Sequence, residues 1–187
     1  RICDDIVKYG NQIKSEKAKV DNTINVMENL KKRNSEIVWT SDKWIYREIH
    51  PYVKKANIEA GWNFNWDYSE ACQITKYKKG QYYDWHCDAW NKPYNIVNNT
   101  NNPQHNKIRK LSVTVSLSDP KNYEGGGLEF DFRNGSPNEK PNLHKCIEIL
   151  PKGSLVVFPS FVWHRVCPVT SGERNSLVIW NLGYPYQ

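Results

Sequence analysis

Apolar residues at Ile2, Cys3, Ile6 and Val7 recur at helical spacing, and Val26 and Leu30 mark a second, weaker helical segment. A third helix is predicted from Ser41-Asp42, which suit a capping role, through Trp44, Ile45, Ile49, Val53, Ala56 and Ala60 to Gly61. Pro51 falls inside it, and its missing N–H predicts a kink or a division there. The first third of the chain therefore reads as helical. After Gly61 the pattern shortens to segments rich in Val, Ile, Tyr, Phe and Trp, separated by turn residues. Strands are predicted near 70–77, 81–88, 109–118, 126–133, 144–149, 153–158, 162–168 and 174–182. The turns include Lys121-Asn122-Tyr123-Glu124-Gly125-Gly126 and Arg133-Asn134-Gly135-Ser136-Pro137. In the third strand Leu111, Val113, Val115 and Leu117 alternate with Ser112, Thr114, Ser116 and Ser118. The apolar set is expected to meet the helix layer, with Thr114 and Ser116 facing a pocket.

Eight strands behind a helical preface predict a mainly β fold with N-terminal helices, an α+β arrangement. Its core would be a double-sheet jelly roll with the helices packed on one sheet. A chain of 187 residues suits a single domain, with 1–61 as helical support and 62–187 as the jelly-roll core. Residues 89–108 are polar, Asn-rich and poor in core residues. They read as a mobile loop over whatever Asp88 helps to build, or equally as a tolerated surface insertion.

Composition narrows the class. A chain 39% hydrophobic and 13% aromatic is not disordered, and no apolar run approaches the ~20 residues of a membrane span. No secretory pattern opens the chain, which starts at Arg1 and not Met, as a trimmed sequence would. The five cysteines, Cys3, Cys72, Cys87, Cys146 and Cys167, are odd in number and widely spaced, which points to a reducing, cytoplasmic compartment. The net charge of +6 comes from 19 Lys and 7 Arg, scattered or in short runs such as Lys31-Lys32-Arg33 and Lys78-Lys79. These read as solvated surface and not as a nucleic-acid groove.

Candidate chemistry begins at His86-Cys87-Asp88. On a strand, residues two apart share a face, so His86 and Asp88 can reach one point. Alone the triplet is weak, since about one chain in four of this composition holds one by chance. His164 follows the buried-looking run Ser154-Leu155-Val156-Val157-Phe158, and Arg174 comes ten residues later. A turn over Pro168…Gly172 would fold the last strand back antiparallel and bring Arg174 level with His164. Two imidazoles and a carboxylate form a facial triad that leaves positions open on a non-haem iron. Arg174 would hold the far carboxylate of a 2-oxo diacid through its planar fork. Alternation then turns Ser176, Val178 and Trp180 inward, with the Ser176 hydroxyl adding a hydrogen bond. The plain alternatives are a polar strand end for the triplet and an exposed arginine at a strand start. Glycines 125–127 lack phosphate-loop spacing and read as a turn. His50, His105 and His144 have no partner at ligand spacing and read as structural or exposed.

The string Tyr77-x-x-Gly80-x-x-Tyr83-x-x-His86-x-Asp88, then Tyr123 to Phe130, then His164-x-Val166…Pro168-Val169…Gly172-x-Arg174 resembles the prolyl 4-hydroxylase branch of 2-oxoglutarate oxygenases. It is especially similar to bacterial and phage PKHD-type hydroxylases, over roughly residues 40 to 183. The resemblance implies a double-stranded β-helix and an Fe(II) centre held by His86, Asp88 and His164. It also implies 2-oxoglutarate bound by Arg174, Tyr77 and Ser176, with Gln73 on the same face as Tyr77. Tyr83 has the wrong parity relative to His86 unless the strand bulges. The implied reaction is hydroxylation of a C–H bond with release of succinate and CO2, ascorbate serving to rescue oxidised iron. A prolyl residue in a peptide or protein partner is the expected substrate, with Trp90 a possible contact, and a bacterial host or its phage the expected source. Two other readings stay open: oxidative demethylation of nucleic acid, prompted by a pI near 9.0, and a metal-binding jelly-roll module without turnover, holding zinc.

Overall fold

The computed structural model describes residues 1–18, 31–89, 92–133 and 140–186. Helix α1 (Ile2–Gln12) buries Cys3 and Ile6, and α2 (Lys43–Glu59) buries Ile45, Ile49 and Val53. That i, i+4, i+8 stripe is the apolar face of a helix lying on a layer. The layer is the larger of two antiparallel sheets. Its strand order is β1 (Glu16–Lys17), β3 (Glu36–Thr40), β5 (Cys72–Lys78), β13 (Val169–Gly183), β7 (Ile108–Ser116) and β11 (Leu155–Pro159). Two short strands, β4 (Tyr68–Ser69) and β8 (Tyr123–Gly125), also pair with β13. The smaller sheet runs β10 (Leu143–Lys145), β9 (Leu128–Asp131), β12 (Trp163–Val166), β6 (Tyr82–His86) and β2 (Arg33–Asn34). Together they form the jelly roll that the strand pattern predicts. Among the described residues no helix is long and apolar enough to cross a membrane.

The two faces of β7 explain why a polar site can exist here. Leu111, Val113, Val115 and Leu117 pack outward with Leu177 and Ile179 against the two helices. Each such buried side chain contributes roughly 1.5–3 kcal/mol. Stability is therefore concentrated on the outer face, and the inner face is released for Ser112, Thr114 and their neighbours. Between the sheets a smaller cluster, including Tyr77, Leu128, Phe130, Phe158 and Val166, closes one end.

Several expectations need correction. Residues 1–61 are not helical support alone, because β1, β2 and β3 feed both sheets. The run Glu36–Thr40 pairs with β5, Ile37 opposite Thr75, and so short an apolar run is not assigned to helix or strand by periodicity. Pro51 does not divide α2; its position is exposed, and the buried residues on both sides hold the helix together. Asp42 stands at the N-cap without a capping bond, its carboxylate accepting instead from the Tyr9 and Thr40 hydroxyls. The strand expected at 144–149 is only Leu143–Lys145, followed by a 3-10 turn at Ile147–Ile149. Nor does the Pro168…Gly172 turn make a hairpin: β12 and β13 lie in opposite sheets, so the chain crosses between them. Val26, Leu30, Trp90 and the turn residues 134–137 lie outside the described residues.

The described part of the 89–108 segment is tied at its base. Tyr94 N–H donates to Lys107 O at 3.0 Å, and Asn106 N–H donates to Tyr94 O at 2.9 Å. His105 Nδ1 accepts the Ile96 N–H at 3.1 Å.

Candidate functional site

His86 ends β6 and stands directly opposite His164 on β12. Asp88 has already left the strand and lies in a bend, so shared-face alternation is not what brings it in. Its N–H and that of Ala89 both donate to Ser160 O at 2.9 Å. Ser112 Oγ donates to Asp88 Oδ2 at 2.7 Å and lies 2.9 Å from Ser160 Oγ. The outcome is one potential ligand atom from each of His86, Asp88 and His164, all within 4.8 Å of one another. His86 Nε2 is 3.8 Å from Asp88 Oδ1, and His164 Nε2 is 3.7 Å from Asp88 Oδ2.

The proton positions suit a metal. His86 Nδ1 lies 2.8 Å from Asp84 O, and His164 Nδ1 lies 3.0 Å from Val162 O. A carbonyl only accepts, so each Nδ1 carries the hydrogen and each Nε2 offers its lone pair. Burial, then the neighbouring His164, pushes the His86 imidazole down to about 3, keeping it neutral. Burial alone would raise the Asp88 carboxyl, but the two imidazoles and Arg109 outweigh it and hold the group at about 2. A carboxylate and two imidazoles whose Nε2 atoms converge on it fit a divalent first-row ion.

Across the cavity, a narrow one of about 30 Å³, β13 presents Arg174, Ser176, Val178 and Trp180. Arg174 is 3% exposed. Its Nη1 donates to Ser176 Oγ at 3.4 Å, and its guanidinium lies 5.5 Å from the ring of its cross-strand partner Tyr77. No carboxylate pairs with it among the described residues. A buried cation without a counter-charge is costly, which marks this end of the cavity as a place for an anion. Gly126, at φ +63°, lets the β8–β9 turn close over the guanidinium's stem, since a Cβ there would meet Arg174 Cδ at 2.8 Å. Trp180 Nε1 is buried with no hydrogen-bond acceptor among the described residues, a second donor left without a partner there. Its ring is clamped by Arg109, whose guanidinium lies 4.1 Å from it and grips Glu70 through two bonds of 2.9 and 2.6 Å.

His86, Asp88, His164, Arg174, Tyr77 and Ser176 are thus brought to one cavity, joined by Gln73 and Thr114. Ser116, expected to face it, does not line it; its hydroxyl turns to Ser118 O at 3.5 Å. Three other residues enter that the sequence reading left out. Tyr83 stacks on His86, ring centroids 3.5 Å apart. The pairs His86–His164 and Tyr83–Val166 leave two residues of β6 between them against one of β12, and that bulge corrects the parity. Arg33, read as solvated charge, is 5% exposed, donates to Gln73 Oε1 at 2.5 Å and lies 4.4 Å from the Tyr83 ring. Ser112, the Asp88 donor, shares its face with Thr114 and was legible from alternation. His50, on Ser69, and His144, beside Glu148, stay outside the site.

Residues 72–181 match the model of the 2OG-Fe(II) oxygenase superfamily. Over 107 residues the chain is 34% identical to a PKHD-type hydroxylase of Shewanella baltica, covering 57% of this chain and 40% of that protein. The chain therefore spans about two fifths of the length of this curated relative. In structure it is similar to a prolyl-4-hydroxylase of Pseudomonas putida, with a TM-score of 0.62 at 21% identity, covering 96% of this chain and 82% of that one. It is also similar to a prolyl hydroxylase of Trichoplax adhaerens in complex with a hypoxia inducible factor peptide fragment, with a TM-score of 0.65 at 18% identity, covering 97% and 78%. These structural likenesses carry the fold.

Proposed function

Because the chain belongs to the 2OG-Fe(II) oxygenase superfamily, we propose that it is an Fe(II)- and 2-oxoglutarate-dependent dioxygenase that hydroxylates a prolyl residue in a peptide or protein. The observation that carries this reading is the placing of three convergent donor atoms and a buried guanidinium, without a carboxylate partner among the described residues, around one cavity. His86, Asp88 and His164 would hold the iron. Arg174 would take the far carboxylate of 2-oxoglutarate in its fork, with Ser176 and the Tyr77 hydroxyl adding hydrogen bonds. When bound, iron and the oxo-acid supply the oxidation that places one oxygen of O2 on a substrate C–H, with release of succinate and CO2.

The chain's own share is binding and orientation. Ser112 and the Ser160 carbonyl fix Asp88; Asp84 O and Val162 O fix the two imidazole tautomers. Tyr83, packed flat on His86, and Trp180 wall the same cavity, which would keep water from the metal once a substrate is bound. We extend the same reading to ascorbate as the reductant that restores Fe(II). Five free cysteines support a reducing, cytoplasmic setting.

Aerobic incubation with Fe(II), 2-oxoglutarate and a proline-containing peptide library tests the proposal. Succinate should form in a peptide-stimulated way, one peptide should gain the mass of one oxygen, and both should vanish in His86→Ala. Succinate release with free proline or an oligonucleotide, but with no peptide, would overturn the prolyl assignment and leave the chemistry. No affinity for 2-oxoglutarate in the metal-loaded protein would overturn both.

A further inference from the structure

A second cleft opens beside the site, where β7 and β13 run out. It holds about 450 Å³ and is lined by Phe64, Trp66, Asp67, Lys110, Tyr184 and Tyr186 among others. Lys110 is its unusual member. It is 5% exposed, and its ammonium rests 4.6 Å from the Tyr186 ring. It has neither a carboxylate nor a hydrogen-bond acceptor among the described residues. By contrast Lys107, at the same end of β7, is neutralised by Asp67 at 2.7 Å. Backbone register explains how a lysine comes to point there. Asn181 pairs with Leu111 but Leu182 pairs with Arg109, so Lys110 is the extra residue of a β-bulge, a device that re-aims a side chain. Burial pushes its ammonium below the ordinary lysine range, the mark of a charge that lacks a partner.

The cleft is close to the chemistry. Ser160 N–H donates to Lys110 O at 3.0 Å, and Ser160 O accepts the Asp88 N–H at 2.9 Å, so a single residue separates Lys110 from Asp88. Along β7, Lys110 precedes Ser112 by two residues, or roughly 7 Å of strand. An extended peptide spans that in about two residues. The aromatic wall is open to a ligand: Tyr184 is 61% and Tyr186 46% exposed.

The geometry points to this cleft as a docking groove for the peptide that flanks the reacting residue, with Lys110 pairing with an Asp or Glu two or three positions away and the peptide chain lying on Tyr184 and Tyr186. The inference rests on the peptide-hydroxylase reading and adds an acidic preference to it. Single-stranded nucleic acid is less well matched. It carries a charge at every nucleotide and wants a row of free cations, whereas among the described residues this cleft offers one and sets the Asp67 carboxylate in its wall.

Direct binding separates this inference from the activity. Anisotropy of a labelled proline-containing peptide would be measured with Glu, Gln or Lys at each of the three positions on either side of the proline. Oligothymidylate serves as the competing probe. Wild type should bind at least one Glu peptide about tenfold more tightly than its Gln counterpart. Lys110→Met should erase that preference, Lys110→Arg should keep it, and Lys110→Glu should transfer it to the Lys peptide. Equal affinity of wild type for all Glu and Gln peptides would overturn the groove without any variant having to fold. So would an unchanged preference in Lys110→Met, or tighter oligothymidylate binding that depends on Lys110. If the Glu preference holds but none of these peptides yields succinate, the groove stands and the prolyl hydroxylase reading falls.

Discussion

Replacing Ser112 by alanine removes one oxygen atom from a fully buried position. What it takes away is the 2.7 Å donor to Asp88 Oδ2. Hydrogen bonds to charged groups are worth about 1.5–3 kcal/mol, and loss of a partner that orients a metal ligand typically weakens metal affinity about 10- to 100-fold. The two figures agree, since tenfold is about 1.4 kcal/mol at 25 °C. Losing a donor also raises the Asp88 carboxyl from about 2, but nowhere near neutrality, so at pH 7 the ligand stays ionised. The deficit must therefore come from orientation and not from protonation. The assay is an anaerobic competition titration with Fe(II), repeated with Mn(II), on wild type and Ser112→Ala. Ser176→Ala is the control, a like change on β13 that should spare the metal and weaken 2-oxoglutarate. Metal affinity within twofold of wild type in Ser112→Ala, with thermal stability lowered, would refute the reasoning and leave Ser112 a packing residue.

Arg174→Gln leaves an oxo-acid carboxylate without its cation, so 2-oxoglutarate affinity should fall at least about 30-fold, the low end of about 2–5 kcal/mol. Metal affinity by the same titration should not change. Gly126→Ala forces a Cβ to within 2.8 Å of Arg174 Cδ and 2.9 Å of Val169 Cγ2 at a positive φ; a stability loss of about 1–3 kcal/mol and a raised KM for 2-oxoglutarate should appear together. The His86 pKa, pushed down by burial to about 3, sets a pH window for the metal-free protein. Below the ordinary imidazole value of about 6.5 the unfolded chain takes up a proton that the folded chain refuses. Stability from this group is thus complete above that value and declines as pH falls toward 3; urea melts at pH 7 and pH 5 should show the drop, and His86→Gln should shrink it. Ile45→Ala opens a cavity under α2 and should cost about 2–5 kcal/mol in urea melts, while leaving metal affinity intact where the protein is folded.

Much of the site could be read from the chain, because side-chain alternation is a local property. Leu111 to Ser118 declared both faces of β7 before any partner was known, and the same period on β13 turned Arg174, Ser176 and Trp180 to one side. What escaped was decided between strands. Tyr83 looked misaligned because the extra residue that corrects it shows only in the register with β12. Asp88 reaches the histidines by a route that alternation does not describe, since the Ser160 carbonyl holds it where the strand has already ended. Arg33 sat in a basic run whose neighbours are ordinary, and only its pairing through β2 with β6 carries it indoors. A five-residue strand at Glu36–Thr40 is simply too short for periodicity to speak.

His86 and His164 belong to the smaller sheet, whereas Arg174, Ser176 and Tyr77 belong to the larger. A guest reaching from the imidazoles to the guanidinium would act as a rivet through both leaves of the sandwich. Its departure frees the leaves to breathe against each other while each keeps its own ladder of bonds, so deuterium uptake would quicken along their shared interior and leave the helix-covered exterior unmoved.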